Sequence, residues 1–315
     1  MSGRERSSID RVERVVSLLP SATEIVCALG FEDRLVGRSH ECDFPPGVRA
    51  LPALTEAKVD ADRPSGEIDT AVRARVRDGL SVYRVDEARL RALAPDLIVT
   101  QDQCEVCAAS LSDVEAALAR WLGAAPRVVS LDPRTLGDVL RDAVRVASAL
   151  GAVERGRALR SRLSDRISDL GERAAGTASR PSVACIEWIE PLMAAGNWIP
   201  ELVALAGGEA CFGNTGRASD WITWDALCDA DPDVLVVMPC GFDLARSRAE
   251  IASLRAQPGF ERLRAVRSGR AHLVDGNAYM NRPGPRLVES LEILCELVHP
   301  EAFAPSHRSE GWEPL

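Results

Sequence analysis

The chain of 315 residues is about twice the length of a common single domain, and 46% hydrophobic beside 27% charged residues suits a globular protein with a full core. A net charge of −9 excludes a basic face for nucleic acid or anionic lipid, and no stretch approaches the roughly 20 apolar residues of a membrane-spanning helix. Nearly all the positive charge is arginine, with Lys58 the only lysine.

At the start, Arg4, Arg6, Arg11 and Arg14 precede the apolar run "VVSLLPSATEIVCALG", which Pro20 and Glu24 interrupt. A secretory leader would keep that run intact and follow it with small residues, and Cys27 lacks the small residues before it that a lipoprotein cysteine has. The segment therefore reads as fold, and the protein is expected in the cytoplasm. "RVVSLL" (14–19) is a short strand, and "SATEIVCALG" a helix with Ser21 as N-cap, Glu24 completing a capping box and Gly30 as its stop. "LVGRS" (35–39) is a second strand, and "PDLIVTQ" (95–101) a buried one. A helix over "SLSDVEAALARWLG" and a strand "RVVSL" (127–131) follow.

Residues 134–174 carry apolar side chains at three-to-four spacing, which predicts one long or once-broken helix. Strands then resume at "SVACIEWI" (182–189), "LMAAG" (192–196), "PDVLVVMPCG" (232–241) and "RAHLVDG" (270–276). Helices are expected over "IPELVALAGG", 243–256 and "PRLVESLEILCELV" (285–298). Strands alternating with helices at this spacing predict parallel sheets covered on both faces. "APDLIVTQDQC" in the first half rhymes with "DPDVLVVMPCG" in the second, so the fold class is α/β, two Rossmann-like lobes joined by a spine helix. The expected division is 1–133, the spine 134–174, a second lobe 175–303 and a loose tail 304–315.

This series resembles the helical-backbone class of substrate-binding proteins, which serve importers of cobalamin, haem and iron siderophores, and within it the cobalamin-binding members. The likeness rests on "VVSLLPSATEIVCALGFEDRLVGRSHECDFP", "APDLIVTQ", "ELVALAGG" and "DPDVLVV" and covers nearly the whole chain. It implies a ligand held between the lobes with little hinge closure. With no export signal recognised, an importer partner has no support from the sequence.

Ligands of open α/β sheets bind beyond the carboxyl ends of the strands. In the first half that rule collects Pro20, Ser21, Thr23, His40, Glu41, Cys42, Gln101, Gln103, Cys104 and Cys107. In the second it collects Glu187, Trp188, Asn197, Trp198, Pro239, Cys240, Asn277, Tyr279, Asn281 and Arg282, with Arg286 following. Tryptophans among polar groups suit a large planar or partly apolar ligand, a cobalamin-like corrinoid or another tetrapyrrole or metal chelate. His40 could ligate cobalt or iron in such a ligand, or hydrogen-bond near the "CDFPP" turn. Arg282 and Arg286 suit a carboxylate, amide or phosphate, or an interior ion pair.

The nine cysteines allow other readings. Cys27, Cys185 and Cys295 sit in apolar stretches as core thiols. Cys42, Cys104, Cys107 and Cys240 fall at strand ends, where four thiols could hold zinc or an iron–sulfur cluster. Cys104 and Cys107 alone could run disulfide exchange. The acids of "EWIEP" fall on opposite faces of a strand. Trp221 and Trp224 read as one core residue and one cleft-wall residue. There is no phosphate-binding glycine loop, serine-nucleophile elbow or HExxH. The composite expectation is a two-lobed small-molecule binding protein, with a metal or iron–sulfur protein and a thiol–disulfide protein as alternatives.

Overall fold

The computed structural model describes residues 12–78, 82–102, 111–118 and 125–315. In chain order the elements are β1 (Val15–Ser17), α1 (Pro20–Ala28), β2 (Leu35–Arg38), β3 (Thr55–Ala57), α2 (Ser65–Arg77), β4 (Tyr83–Val85), α3 (Glu87–Leu93), β5 (Leu97–Gln101), α4 (Leu111–Leu118), β6 (Arg127–Leu131), α5 (Leu136–Ala149) and α6 (Val153–Ala175). Then come β7 (Ser182–Trp188), β8 (Met193–Ala194), α7 (Ile199–Leu205), β9 (Glu209–Ala210), β10 (Asp220–Trp221), α8 (Trp224–Ala230), β11 (Val234–Val237), α9 (Leu244–Arg255), α10 (Arg264–Arg267), β12 (Ala271–Val274), α11 (Leu287–Val298) and β13 (Trp312–Pro314).

Two compact units emerge. The first takes the described residues within Met1–Lys58, Gly79–Asp132 and Leu140–Ser161; the second takes Val59–Asp78, Pro133–Val139 and Arg162–Leu315. The expected boundary at 133 is therefore interrupted, because α2 joins the second unit. The Ser65 N–H donates to Glu250 Oε2 at 3.2 Å, the Arg246 guanidinium donates to the Arg63 carbonyl, and the Arg73 guanidinium lies 4.5 Å from the Trp221 ring centre. These anchors are polar and cationic, so apolar periodicity could not announce them. The helical stretch over 134–174 is α5 and α6, interrupted around Gly151, whose φ of +73° ends α5.

In the first unit a parallel sheet runs β2-β1-β5-β6, with Val15 beside Leu35 and Leu97. Every residue of β1 and β5 is buried, so the apolar stretches 15–16 and 97–99 show no alternation before the buried polar residues Ser17, Thr100 and Gln101. Val16, Leu18, Leu54, Leu90, Ile98 and Val114 form the core on one side of the sheet. Helix α1 begins two residues earlier than the expected Ser21 cap requires. Pro20 occupies its first turn, Leu19 is the N-cap, and no side chain caps it, so Ser21 lies inside the helix. Proline is suited there because the N–H it lacks would have no partner anyway. Gly30, at φ +75°, provides the stop.

The second sheet runs β10-β8-β7-β11-β12-β13, with β9 beside β7. Strands β7, β11 and β12 are parallel, and β13 closes the far edge antiparallel to β12. The rhyme between the two halves is a strand-alignment device. Asp96 precedes β5 and accepts from the Glu13 and Arg14 N–H groups, both at 2.9 Å. Asp233 precedes β11 and accepts from the Ser182 N–H and hydroxyl, both at 2.9 Å. Each carboxylate ties its strand to the start of the neighbouring parallel strand. The Ser182 N–H donation, with Arg264, holds the Asp233 carboxyl below its ordinary value against partial burial. Asp233→Ala should cost about 1–2 kcal/mol in urea unfolding. Asp96→Ala, at an exposed site, should cost less; equal costs would show that the added Ser182 hydroxyl bond contributes nothing.

Residues 304–315 are not a loose tail. Glu296, 4% exposed on α11, collects the Ser306 hydroxyl at 2.6 Å, His307 Nδ1 at 2.7 Å and the Trp312 indole N–H at 2.7 Å. Trp312 then pairs with Val274 as β13.

Candidate functional site

In the first sheet the strand order turns at β1, which has β2 on one side and β5 on the other. The loops leaving β1 and β2 meet at this edge beside β5. The Ser39 N–H donates to the Ser17 carbonyl at 2.8 Å, and the Leu18 N–H to the Val99 carbonyl at 2.8 Å. Thr23 Oγ1 lies 2.8 Å from Ser17 Oγ and 3.0 Å from Cys42 Sγ. Ser21, Thr23, Cys42 and Gln101 are all buried, so these residues fasten the loops from within. His40 and Glu41 are half-buried just beyond β2. His40 Nδ1 is 2.7 Å from Thr55 Oγ1, its ring centre is 5.7 Å from that of Tyr83, and the Tyr83 hydroxyl donates to Glu41 Oε1 at 3.3 Å. Burial and the neighbouring Arg38 hold the His40 pKa below its usual value, so the ring is neutral at pH 7.

In the second unit the carboxyl ends of β7, β11 and β12 assemble a polar and aromatic rim. The Cys240 N–H donates to the Glu187 carbonyl at 3.0 Å. The Glu187 carboxylate accepts from the Ser219 hydroxyl at 2.7 Å, yet burial still pushes its pKa up. Trp188 is half-buried and packs on Phe242, with ring centres 5.3 Å apart. The turn over Gly276–Met280 follows β12. Its Asn277 N–H donates to the Phe242 carbonyl and its Asn277 Oδ1 accepts from buried Arg282 at 3.0 Å. Asn281 Nδ2 donates to the Met238 carbonyl at 3.2 Å, fixing this turn against the loop leaving β11. The Arg286 guanidinium stands 5.5 Å from the Tyr279 ring centre. Asp275, at the base of the turn, is pushed up to about 6, chiefly by burial.

The remaining candidates separate clearly. Trp198 is buried and spends its indole N–H on the Met280 carbonyl at 3.0 Å, so it supports the rim from inside. Asn197 is half-buried at φ +53°, its backbone tied to Arg217 and Gly216. Trp224 packs on Phe260 and donates to the Pro258 carbonyl, whereas Trp221 is 50% exposed beneath Arg73. Gln103, Cys104 and Cys107 lie outside the described residues. Among the described residues no group of three or more His, Cys, Asp or Glu is placed to hold a metal ion. With the Cys42 sulfur enclosed against Thr23, a centre built on the cysteine cluster gains no support from that residue. Cys185 and Cys295 are buried core thiols, whereas Cys27 near the end of α1 is only half-buried; each is pushed up to about 12 by burial above all. Thr55, Tyr83 and Phe242 were not signalled by the sequence. Tyr83 is one of only two tyrosines in the chain, the other being Tyr279 on the second rim.

Comparison with known proteins places this geometry in context. The model of a family described as "Periplasmic binding protein" matches residues 15–278. A substrate-binding lipoprotein of an ABC transporter, YvrC of Bacillus subtilis (strain 168), itself uncharacterized, is 22% identical over 300 residues, 92% of this chain and 81% of its own. A vitamin B12-binding protein of Vibrio cholerae serotype O1 is 23% identical over 286 residues, 90% of this chain and 88% of its own. Among solved structures, the periplasmic heme-binding protein RhuT of Roseiflexus sp. RS-1 matches with a TM-score of 0.69 and 23% identity, covering 92% of this chain and 99% of its own. The periplasmic vitamin B12-binding protein BtuF of Vibrio cholerae gives 0.64 and 20%, covering 91% and 96%. These relatives are periplasmic proteins or lipoproteins outside the cytoplasm, which overturns the cytoplasmic expectation. They also bear on the importer partner, since the lipoprotein relative serves an ABC transporter. Among the described residues no helix is long and apolar enough to cross a membrane.

Proposed function

The chain belongs to the periplasmic binding protein family, and on that premise we propose that it captures a bulky metal-chelate ligand, a cobalamin-like corrinoid before haem or a siderophore, for delivery to an ABC importer. The observation that carries the corrinoid reading is the alignment with vitamin B12-binding relatives over 90% of the chain. The rims at the strand ends support it. Trp188 with Phe242 offers an aromatic face, and Asn277, Tyr279 and Arg286, braced from beneath by buried Arg282, offer groups that match the amide and phosphate periphery of a corrinoid. Binding of this kind works by burial and a few polar anchors, with no covalent change in the ligand.

Titrating the purified full chain with cyanocobalamin, haemin and a ferric hydroxamate tests the proposal. The readouts are tryptophan fluorescence and calorimetry. Saturable one-to-one binding of cyanocobalamin, with Trp188→Ala weakening it about tenfold, is the expected result. Preference for the ferric hydroxamate would reject the corrinoid reading.

A further inference from the structure

We infer that Gly311 and His307, on the strap formed by residues 304–315, are positioning residues for the second rim: they set the Tyr279 ring, and through it the affinity of the rim for its ligand. This rests on the proposed capture of a ligand there. The strap lies beyond residues 15–278, which the family model matches, so the family pattern does not account for it.

Tyr279 is anchored at its backbone and its ring but not at its hydroxyl. Its carbonyl accepts from the Ser290 hydroxyl at 2.9 Å, and its N–H donates to the Asp275 carbonyl at 3.3 Å. The Asp275 N–H in turn donates to the Gly311 carbonyl at 2.9 Å, which ties the base of the turn to the strap. The Tyr279 ring is half-buried and meets the His307 ring edge to face, centres 6.2 Å apart. Its hydroxyl makes no hydrogen bond to any described residue. A phenol held by its ring, with its hydroxyl left to a ligand, has met part of its ordering cost before the ligand arrives.

Gly311 is what lets the strap come so close. It is buried, and a methyl group on it would stand 3.3 Å from Tyr279 Cε2, 3.3 Å from His307 Cβ and 2.8 Å from Ile293 Cδ1. Ile293 is fully buried in α11, so the half-buried Tyr279 ring is the neighbour that yields.

His307 holds the strap to α11. Its Nδ1 lies 2.7 Å from Glu296 Oε1 and its Nε2 3.4 Å from Glu292 Oε2, so a carboxylate faces each nitrogen. Ionised carboxylates only accept, and the arrangement therefore suits the doubly protonated ring. The other charged groups around it are Glu289 on α11, Arg166 on α6 through its pair with Glu292, and, beside Tyr279, Arg286, Asp275 and Glu310. The bond to Glu296 raises the His307 pKa above its usual value. When the ring loses its proton, one carboxylate loses its donor and the strap is held less firmly against Tyr279.

The test uses the full chain labelled with fluorotyrosine, whose two tyrosines give two fluorine resonances that Tyr83→Phe assigns. The probes are cyanocobalamin, haemin and a ferric hydroxamate. Gly311→Ala is expected to move the Tyr279 resonance and to weaken the probe that wild type binds by about 3- to 10-fold. Wild-type affinity should be full while His307 is protonated and decline as pH rises through its raised pKa. His307→Asn keeps a donor near the Nδ1 position and lacks the charge, so it should bind more weakly and lose that decline. The Asp275 carboxyl, at about 6, remains in both profiles. Trp312→Phe removes the indole donation to Glu296 and serves as the control: stability should fall while the Tyr279 resonance and the affinity stay. An unmoved resonance with unchanged affinity in Gly311→Ala and His307→Asn overturns the positioning and leaves capture intact. Equal weakening in Trp312→Phe would show a general loss of stability and overturns it as well. If wild type binds none of the three probes, the capture reading falls with its affinity, and the resonance still decides the strap: movement in Gly311→Ala keeps the positioning of Tyr279, and none removes it.

Discussion

Replacing Glu296 by alanine is expected to lower stability by about 3–5 kcal/mol, the range for removing one partner from a buried charged network. The reason is the number of donors that this carboxylate serves. The Ser306 hydroxyl and N–H, His307 Nδ1 and the Trp312 indole all point to it, from residues 10 to 16 positions further along the chain. Burial alone would push the Glu296 pKa up, but donation from His307, Ser306 and Trp312 outweighs it and holds the group below its ordinary value. The network is thus built for the ionised form. Without it, Trp312 loses its polar anchor and β13 depends on three ladder residues and the bidentate Arg248–Glu313 pair at its edge. Urea unfolding gives the magnitude, and hydrogen exchange should show residues 304–315 losing protection before the rest. A cost under about 1 kcal/mol would mean that the carboxylate is only a bystander to the closing strand.

Glu296 also shows where sequence reading stops. In "ESLEILCELV" it is an ordinary acid on an amphipathic helix, and nothing local says that a tryptophan 16 residues on will donate to it. The parallel strands were legible for the opposite reason. Burial on both faces leaves β11 and the first three residues of β5 as runs of apolar residues that need no partner to be recognised. Strands β3 and β4, three residues each, carry no such signature, and they hold Thr55 and Tyr83. His40 is therefore visible as a strand-end residue, while the two groups its ring contacts are not. The capping of α1 was misread because Ser21 and Glu24 imitate a capping box, and Pro20 outranked them. The Pro-Asp rhyme marks corresponding strands of the two sheets, and its aspartates align those strands with their neighbours.

The second large effect is acid sensitivity at His272. This residue lies in the middle of β12 with its ring edge-on to Trp312, centres 5.2 Å apart, and its buried Nδ1 has no hydrogen-bond partner among the described residues. Burial first, then Arg270 and Arg308, pushes its pKa down from 6.5 to about 4. The fold thus favours the neutral ring. Above pH 6.5 neither state binds the proton, and His272 carries no penalty of this kind. As pH falls below 6.5 the unfolded chain protonates while the folded one does not, so stability declines until the folded ring also protonates near pH 4. Over that window the loss is about 3 kcal/mol. His307 has the opposite sign: its pKa is raised, chiefly by the bond to Glu296, so its contribution is full below 6.5 and lost as pH rises through the folded value. Urea unfolding of wild type and His272→Phe from pH 7 to pH 4 separates the two. The variant should retain the His307 dependence and lose the His272 decline, so the curves should diverge by about 3 kcal/mol as pH falls. Parallel curves would mean that the ring is already solvated in the folded state. Because Trp312 covers His272 and Glu296 anchors Trp312, Glu296→Ala should also flatten the acid decline, which makes the closing strand the common cause of both effects.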